Sequence, residues 1–394
     1  MCRASRVKNI NNISVRVKGG IAMLKYIRQE HVRWLSCVLL LIGYGCGGGG
    51  EDSSTVSGNE SSICTVSGSP SINRVAGIFS NGQTITITGT GFGSCGPTVV
   101  LFDDFEKGIE GSNISTSLNS AVVKQWSAVS TDYQPVYSTL QSHSGIKSML
   151  IDYAQQGRWA EVQFSGTNCV YFSFWMLVPS DSCVPGVYNQ DGPNWKFVLL
   201  SGNPWPASDF TSVFLQDLPN PAFSLMSAWY DSAGLYNGSD TATSMIKGRW
   251  HRFEWSFYGH TSAGFIHGWE MNDGSPRRQI QNATGISSLH ANDLWGLVRF
   301  PAYARQDNVA KNYYDDIYVA IGAGAQARVE IGNNADYSDC TALAILTTRS
   351  WSDTLIRADV RHGSFDVDDN VYLFVVDASG AASPGFALTL GHTY

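Results

Sequence analysis

Gln83-Thr84-Ile85-Thr86-Ile87-Thr88 alternates polar and apolar side chains without a break, then runs into Gly89-Thr90-Gly91-Phe92-Gly93. A period of two puts Ile85 and Ile87 on one face of a strand, and the glycine cluster then turns the chain. Strand-length aromatic runs return at Val170–Val178, Trp195–Leu200, Arg249–Phe257 and Leu294–Phe300, with no convincing amphipathic helix between them. The chain has 40 glycines, 12% aromatic and only 15% charged residues, a balance that suits strands and turns better than solvated helices. The expected fold class is all-β, and 394 residues supply apolar material for more than one core.

Charge is unevenly placed. Residues 1–45 hold eight of the 26 Lys and Arg and one of the 33 Asp and Glu, so 18 basic against 32 acidic residues leave the remainder at −14. An acidic body repels phosphate backbones, and nucleic acid is not an expected partner. No glycine-rich phosphate loop joins a strand to a helix, so neither a nucleotide nor a redox cofactor is expected.

From Met23 the chain places Lys25, Arg28 and Arg33 before a short apolar run, Trp34 to Ile42, and then small residues around Cys46. The run is too short to span a bilayer. The pattern resembles a bacterial lipoprotein signal over 23–46, which implies a lipidated Cys46, export, and display at the outer membrane or cell surface. An ordinary secretory signal cut near Gly45 is the alternative. Lys18-Gly19-Gly20 is compatible with purine-rich codons just ahead of Met23, so translation is expected to start there, with 1–22 upstream of the true start. Residues 47–69 are rich in Gly and Ser and read as a flexible linker.

Pro70-Ser71-Ile72 through Ile87-Thr88-Gly89-Thr90-Gly91-Phe92-Gly93 resembles the opening of an IPT/TIG domain, an immunoglobulin-like sandwich. Phe92 would plug its core. Ser350-Trp351-Ser352-Asp353-Thr354-Leu355-Ile356 and Val371–Asp377 resemble later segments of the same family. Residues 70–101 plus 325–391 together have the length of one such sandwich, so one discontinuous host domain split by an insertion is expected.

The insertion, 102–321, opens Asp103-Asp104-Phe105-Glu106, carries Gly248-Arg249-Trp250-His251-Arg252-Phe253-Glu254 at its centre, and closes Tyr314-Asp315-Asp316-Ile317-Tyr318. These marks resemble the concanavalin-A-like lectin/glucanase jelly roll, in which the first and last strands pair. The resemblance implies that Asp103, Asp104, Glu106, Asp315 and Asp316 meet; a structural calcium held by Asp104, Glu106 and Asp316 and a set of solvated rim acids are the two readings.

Five cysteines follow Cys46. In an oxidising compartment Cys169 with Cys183, and Cys95 with Cys340, are the expected disulfides, which leaves Cys64 over.

A retaining glycosidase of the resembled fold needs paired acids two or four positions apart on a strand. The four Glu beyond residue 110 (Glu161, Glu254, Glu270, Glu330) lack such partners, so hydrolysis by that motif is not expected. Polysaccharide lyases of this fold use a Tyr or His base and a cation that neutralises a uronate; Lys196, His251, Arg299, Tyr303 and Arg305 are of those types. Trp195, Lys196, Trp205, Trp229, Tyr230, Arg299 and Tyr303 are the expected carbohydrate contacts, because sugar C–H faces stack on indole and phenol rings. Core packing is the competing role for Trp175, Trp250, Trp255 and Trp295. Binding of a polysaccharide by a lipid-anchored surface protein is the favoured reading, with catalysis leaning against. A lyase acting by β-elimination and a non-catalytic structural or adhesive role are the alternatives.

Overall fold

A computed structural model describes residues 64, 68–131, 134–152, 158–180, 195–202, 210–217, 222–231, 234–238, 244–272, 274–289, 293–300 and 311–394, with backbone alone at 195–196, 210–217, 222–231, 234–238 and 244–245. The expectations for the signal, for Cys46 and for most of the linker lie outside these residues.

The described residues are strands and connections, as the alternation predicts. In chain order the strands are β1 Ser71–Ala76, β2 Thr84–Thr90, β3 Thr98–Asp103, β4 Ala128–Val129, β5 Val136–Ser138, β6 Ser148–Asp152, β7 Ala160–Thr167 and β8 Cys169–Leu177. They continue as β9 Trp195–Ser201, β10 Phe210–Asp217, β11 Ala222–Asp231, β12 Gly234–Gly238, β13 Ser244–Ile246, β14 Trp250–Tyr258, β15 Gly264–Asn272 and β16 Ser275–Ile286. The last are β17 Trp295–Phe300, β18 Lys311–Ile321, β19 Arg328–Gly332, β20 Leu343–Trp351, β21 Leu355–Asp359, β22 Asn370–Val376 and β23 Phe386–Thr389.

The larger sandwich has two eight-stranded sheets. One runs β16-β15-β14-β8-β18-β6-β5 with β3 added beside β18; the other runs β12-β11-β10-β9-β17-β7-β4 with β13 beside β11. Phe172, Phe174, Phe253, Trp255, Phe197, Val298 and Phe300 interlock between them. Trp255 and Trp295 therefore have the packing role, at 1% and 0% exposure. The strand Thr98–Asp103 pairs with β18 along its length, so this sandwich begins before residue 102.

A seven-stranded path, β1-β2-β21-β20-β19-β22-β23, joins strands from both ends of the described chain. Leu343–Leu346 of β20 pair with β19, and the residues from Thr347 onward pair with β21 across a register shift. A strand that changes partners at a bulge bends its sheet around a core. Here that core holds Ile85, Ile87, Val329, Ile331, Leu346 and Ile356. Phe92 is fully buried in it. Its ring lies over Gly89, where an added Cβ would fall 2.0 Å from the Ser71 carbonyl and 2.5 Å from the ring itself, so only glycine fits. Trp351 closes the edge of this core and donates its indole N–H to the Gly93 carbonyl at 2.9 Å.

The two cores share a wall. All nine residues of β8 are buried, because Phe172, Phe174 and Met176 enter the large core while Tyr171, Ser173, Trp175 and Leu177 face the smaller sandwich. Strands covered on both faces read as unbroken apolar runs. Trp175, Leu177 and Trp250 pack with Cys340, Leu343 and Phe374 across that wall.

An ionic cluster is sealed inside it. Arg252 pairs with Glu330. Arg328 Nε lies 2.9 Å from Glu330 and its Nη2 3.3 Å from Glu254. The Tyr171 hydroxyl donates to Glu254 at 2.9 Å, and that of Tyr337 to Glu330 at 2.6 Å. Burial pushes both carboxyls up, but the surrounding guanidinium groups outweigh it and hold Glu254 and Glu330 below the usual carboxylate range.

The cysteine pairing differs from expectation. Cys64 bonds Cys95, while Cys169 and Cys340 are buried free thiols. Cys340 is fully enclosed at the wall between the sandwiches. Burial pushes both thiols up to about 11. Cys183 lies outside the described residues.

Candidate functional site

Strand alternation builds a polar row on the face of the β9–β17–β7 sheet that points away from the large core, where the Arg299 and Glu161 side chains are 11% and 5% exposed. Val298 and Phe300 enter the core, which turns Arg299 away from it; Ala160 and Val162 do the same for Glu161. The ladder sets Arg299 opposite Glu161 on one side and Leu199 on the other. Arg299 donates to Glu161 Oε2 from Nε at 2.8 Å and pairs from Nη2 at 2.6 Å. Gln163 donates to Glu161 Oε1 at 2.7 Å. The guanidinium carbon stands 4.3 Å from the centre of the Trp159 ring.

These contacts hold the Arg299 guanidinium over the Trp159 indole. Stacking faces with fixed polar neighbours suit sugar rings, whose C–H faces are apolar and whose edges carry hydroxyls. An incoming carboxylate must share Arg299 with Glu161. Trp159, Glu161 and Gln163 were not singled out as contacts. Their signal is the polar alternation within Glu161-Val162-Gln163, and only the register shows that it faces Arg299.

Five of the seven expected contacts lie on strands of this one sheet. Trp195 and Lys196 are on β9, opposite Leu215 and Phe214; Trp229 and Tyr230 are on β11, opposite Thr211 and Leu235; Arg299 is on β17. Trp205, Tyr303 and Arg305 lie outside the described residues.

His251 does not join them. It sits on β14 in the opposite sheet with 0% exposure, its Nδ1 2.7 Å from Glu270 and its Nε2 accepting the Ile246 N–H at 3.1 Å. An imidazole enclosed in this way cannot reach a polymer, which corrects the expectation of a His251 base. Arg278 holds the other Glu270 oxygen at 2.8 Å. The four late Glu residues are thus all anchored to arginines: Glu161, Glu254, Glu270 and Glu330.

Asp104, Glu106 and Asp316 do meet, at the rim of a cavity between the two sandwiches. A bulge in β18 after Asp315 turns Asp316 outward with φ of 47°. Asp315 stays fully buried and accepts the His143 and Ser144 N–H groups at 2.8 and 3.0 Å, which fixes the loop that covers the rim. Burial, then the neighbouring Asp316, raises the carboxyls of both Asp315 and Asp104.

The donors already present decide the fit to calcium. Glu106 Oε1 accepts the Ile146 and Lys147 N–H groups at 2.8 and 2.7 Å. Asp316 accepts the Ser144 hydroxyl at 2.8 Å, and Asp104 pairs with Arg361 at 3.3 Å. Among the described residues no set of three His, Cys, Asp or Glu side chains is arranged to hold a metal ion. As placed, Glu106 Oε1 and Asp316 are served by protein donors and Asp104 by two contacts of 3.3 Å, and the three acids are not arranged as a calcium cage.

No protein-family model matches the chain, and no curated protein matches it. Solved structures do. The marine PL-14 alginate lyase from Aplysia kurodai is 11% identical with a TM-score of 0.39, covering 54% of this chain and 100% of that one. A variant of the alginate lyase Aly36B, in complex with alginate tetrasaccharide, is 10% identical with a TM-score of 0.38 over 57% and 97%. The GH131 β-glucanase catalytic domain from Podospora anserina is 12% identical with a TM-score of 0.32 over 57% and 99%. Similarity at this level assigns no activity.

Proposed function

We propose that the protein binds a polysaccharide on the outward face of the β9–β17–β7 sheet, displayed at a bacterial surface from a lipid-modified Cys46. The observation that carries the binding reading is the Arg299 guanidinium, stacked on Trp159 and tied to Glu161 and Gln163. The adjacent strand β9 bears Trp195 and Lys196, and β11, further along the same sheet, bears Trp229 and Tyr230. A fixed cation beside an indole offers stacking and hydrogen bonding together. The described residues supply this cation and stacking plane, while His251 is removed as a base. Binding is the function put forward, with β-elimination as the alternative that the assay below decides.

A glycan array, followed by incubation with polyuronates, tests it. Retention of a polysaccharide without growth of ultraviolet absorbance supports binding. A rise in absorbance from a new double bond would replace it with β-elimination, and silence in both assays would leave the structural or adhesive role. The anchor is tested separately, by mass spectrometry of the mature N-terminus: an acylated Cys46 supports it, and an unmodified terminus refutes it.

A further inference from the structure

The cavity between the sandwiches, about 90 Å³, belongs to neither the outward sheet face nor the sealed ionic cluster, although one side chain links it to that cluster. Arg252 is 2% exposed and lines the cavity. Its Nη2 is committed to Glu330 and its Nε lies 3.4 Å from Glu254, but Nη1 has no acceptor among the described residues. A buried charged donor left without a partner is costly, and a ligand acceptor removes the cost. Arg361, from the smaller sandwich, also lines the cavity beside Asp104, and its Nε is buried without an acceptor among the described residues.

Acceptors stand beside these donors. Among the described residues Asp104 has two long contacts, 3.3 Å from the Glu106 N–H and 3.3 Å from Arg361. Glu106 Oε2 has a single cation near it, Lys147 Nζ at 3.8 Å. Trp175 supplies an apolar wall. A simple anion would meet three carboxylates, and a simple cation would meet two guanidinium groups. A hydroxyl both donates and accepts, so a row of hydroxyls satisfies both kinds of group.

We propose that this seam is a second ligand site, taking the hydroxyl-bearing edge of a neutral sugar or small polyol between Arg252, Arg361 and Asp104. A cavity of this volume holds several water molecules, enough for the edge of a ring rather than a whole chain. The site stands independently of the outward-face reading, since it uses none of the same residues.

The test is saturation-transfer NMR on the full chain with glycerol and with methyl glycosides of glucose, galactose, mannose and xylose. It compares wild type with Asp104→Asn, Arg361→Gln and Trp159→Ala. Asp104→Asn and Arg361→Gln keep a polar side chain at a partly exposed pair, and thermal melts check that the fold is kept. The expected result is millimolar binding of at least one probe by wild type and Trp159→Ala, weakened tenfold or more in the other two variants. Two results overturn the seam site: no probe binding to wild type, or binding that disappears in Trp159→Ala yet survives unchanged in Asp104→Asn and Arg361→Gln. The second leaves the outward-face reading standing, and failure of polysaccharide retention leaves the seam untouched.

Discussion

Phe102 and Tyr318 sit opposite each other in the β3–β18 ladder, with ring centres 6.0 Å apart and planes at 68°. The large sandwich therefore begins and ends at one place, although about two hundred residues separate its ends. This pairing lets the smaller sandwich take strands from both sides of the insertion, with β2 hydrogen-bonded to β21. Phe102 is 3% exposed. Phe102→Ala is expected to cost about 3–5 kcal/mol, as deletion of a buried aromatic does. Urea unfolding monitored by tryptophan fluorescence measures it, and a loss below about 1 kcal/mol would show that the terminal pairing is not a stabilising joint.

The sealed cluster supplies the next expectation. Glu330 is completely enclosed and bonded to Arg252, Arg328 and Tyr337. Removing one member of such a group strands the remaining charge, so Glu330→Ala should destabilise by about 3–5 kcal/mol. A double-mutant cycle with Arg252→Met reports the coupling, which should be at least about 1 kcal/mol for groups in direct contact.

Asp103 carries the pH dependence. It is buried, accepts the Trp126 N–H at 2.7 Å, and burial raises its carboxyl from 3.8 to about 7. The folded state keeps a proton that the unfolded chain has lost, so this group's stabilisation is full below 3.8 and is lost as pH rises through about 7. Asp103→Asn removes the titration. Between pH 5 and pH 8 the variant's stability should fall less than that of wild type in denaturant titrations; an identical slope would exclude Asp103 as the source.

On the outward face, Glu161 competes with any acidic ligand for Arg299. Glu161→Gln should strengthen retention of uronate-containing polymers relative to neutral ones, while Arg299→Lys should weaken both, since a lysine lacks the planar fork that stacks and donates together. Affinity electrophoresis in gels containing each polymer separates the cases, and equal shifts for acidic and neutral polymers in Glu161→Gln would contradict the competition.

Calcium at the junction is open to direct measurement. Because Arg361, Ser144 and backbone N–H groups already serve the acids, adding calcium or EDTA should leave the melting temperature unchanged. A calcium-dependent rise of several degrees would restore the cation to Asp104, Glu106 and Asp316.

Much of the fold was legible because strand patterning is local. The alternation at Gln83–Thr88 is β2, and the buried runs around Phe174, Trp255 and Val298 are β8, β14 and β17. The approach of Asp104, Glu106 and Asp316 followed from a likeness in which the end strands pair. Cysteine pairing was misjudged because proximity across a fold is not written in spacing. Cys95 lies by Cys64, while Cys340 faces an apolar wall. His251 resembled a base by type alone; burial and Glu270 removed it.

Residue order by itself determined that the chain is built of strands and where the clearest of them run, such as β2, β8, β14 and β17, because alternation and short apolar runs depend on near neighbours. Tertiary structure alone decided that Arg299 meets Glu161 and Trp159, that Arg252 reaches Glu330, and that the seam holds a cavity. Those contacts depend on register and on the packing of sheets, where residues distant in the chain share one small volume, and a single-residue slip in pairing would turn each side chain to the opposite face.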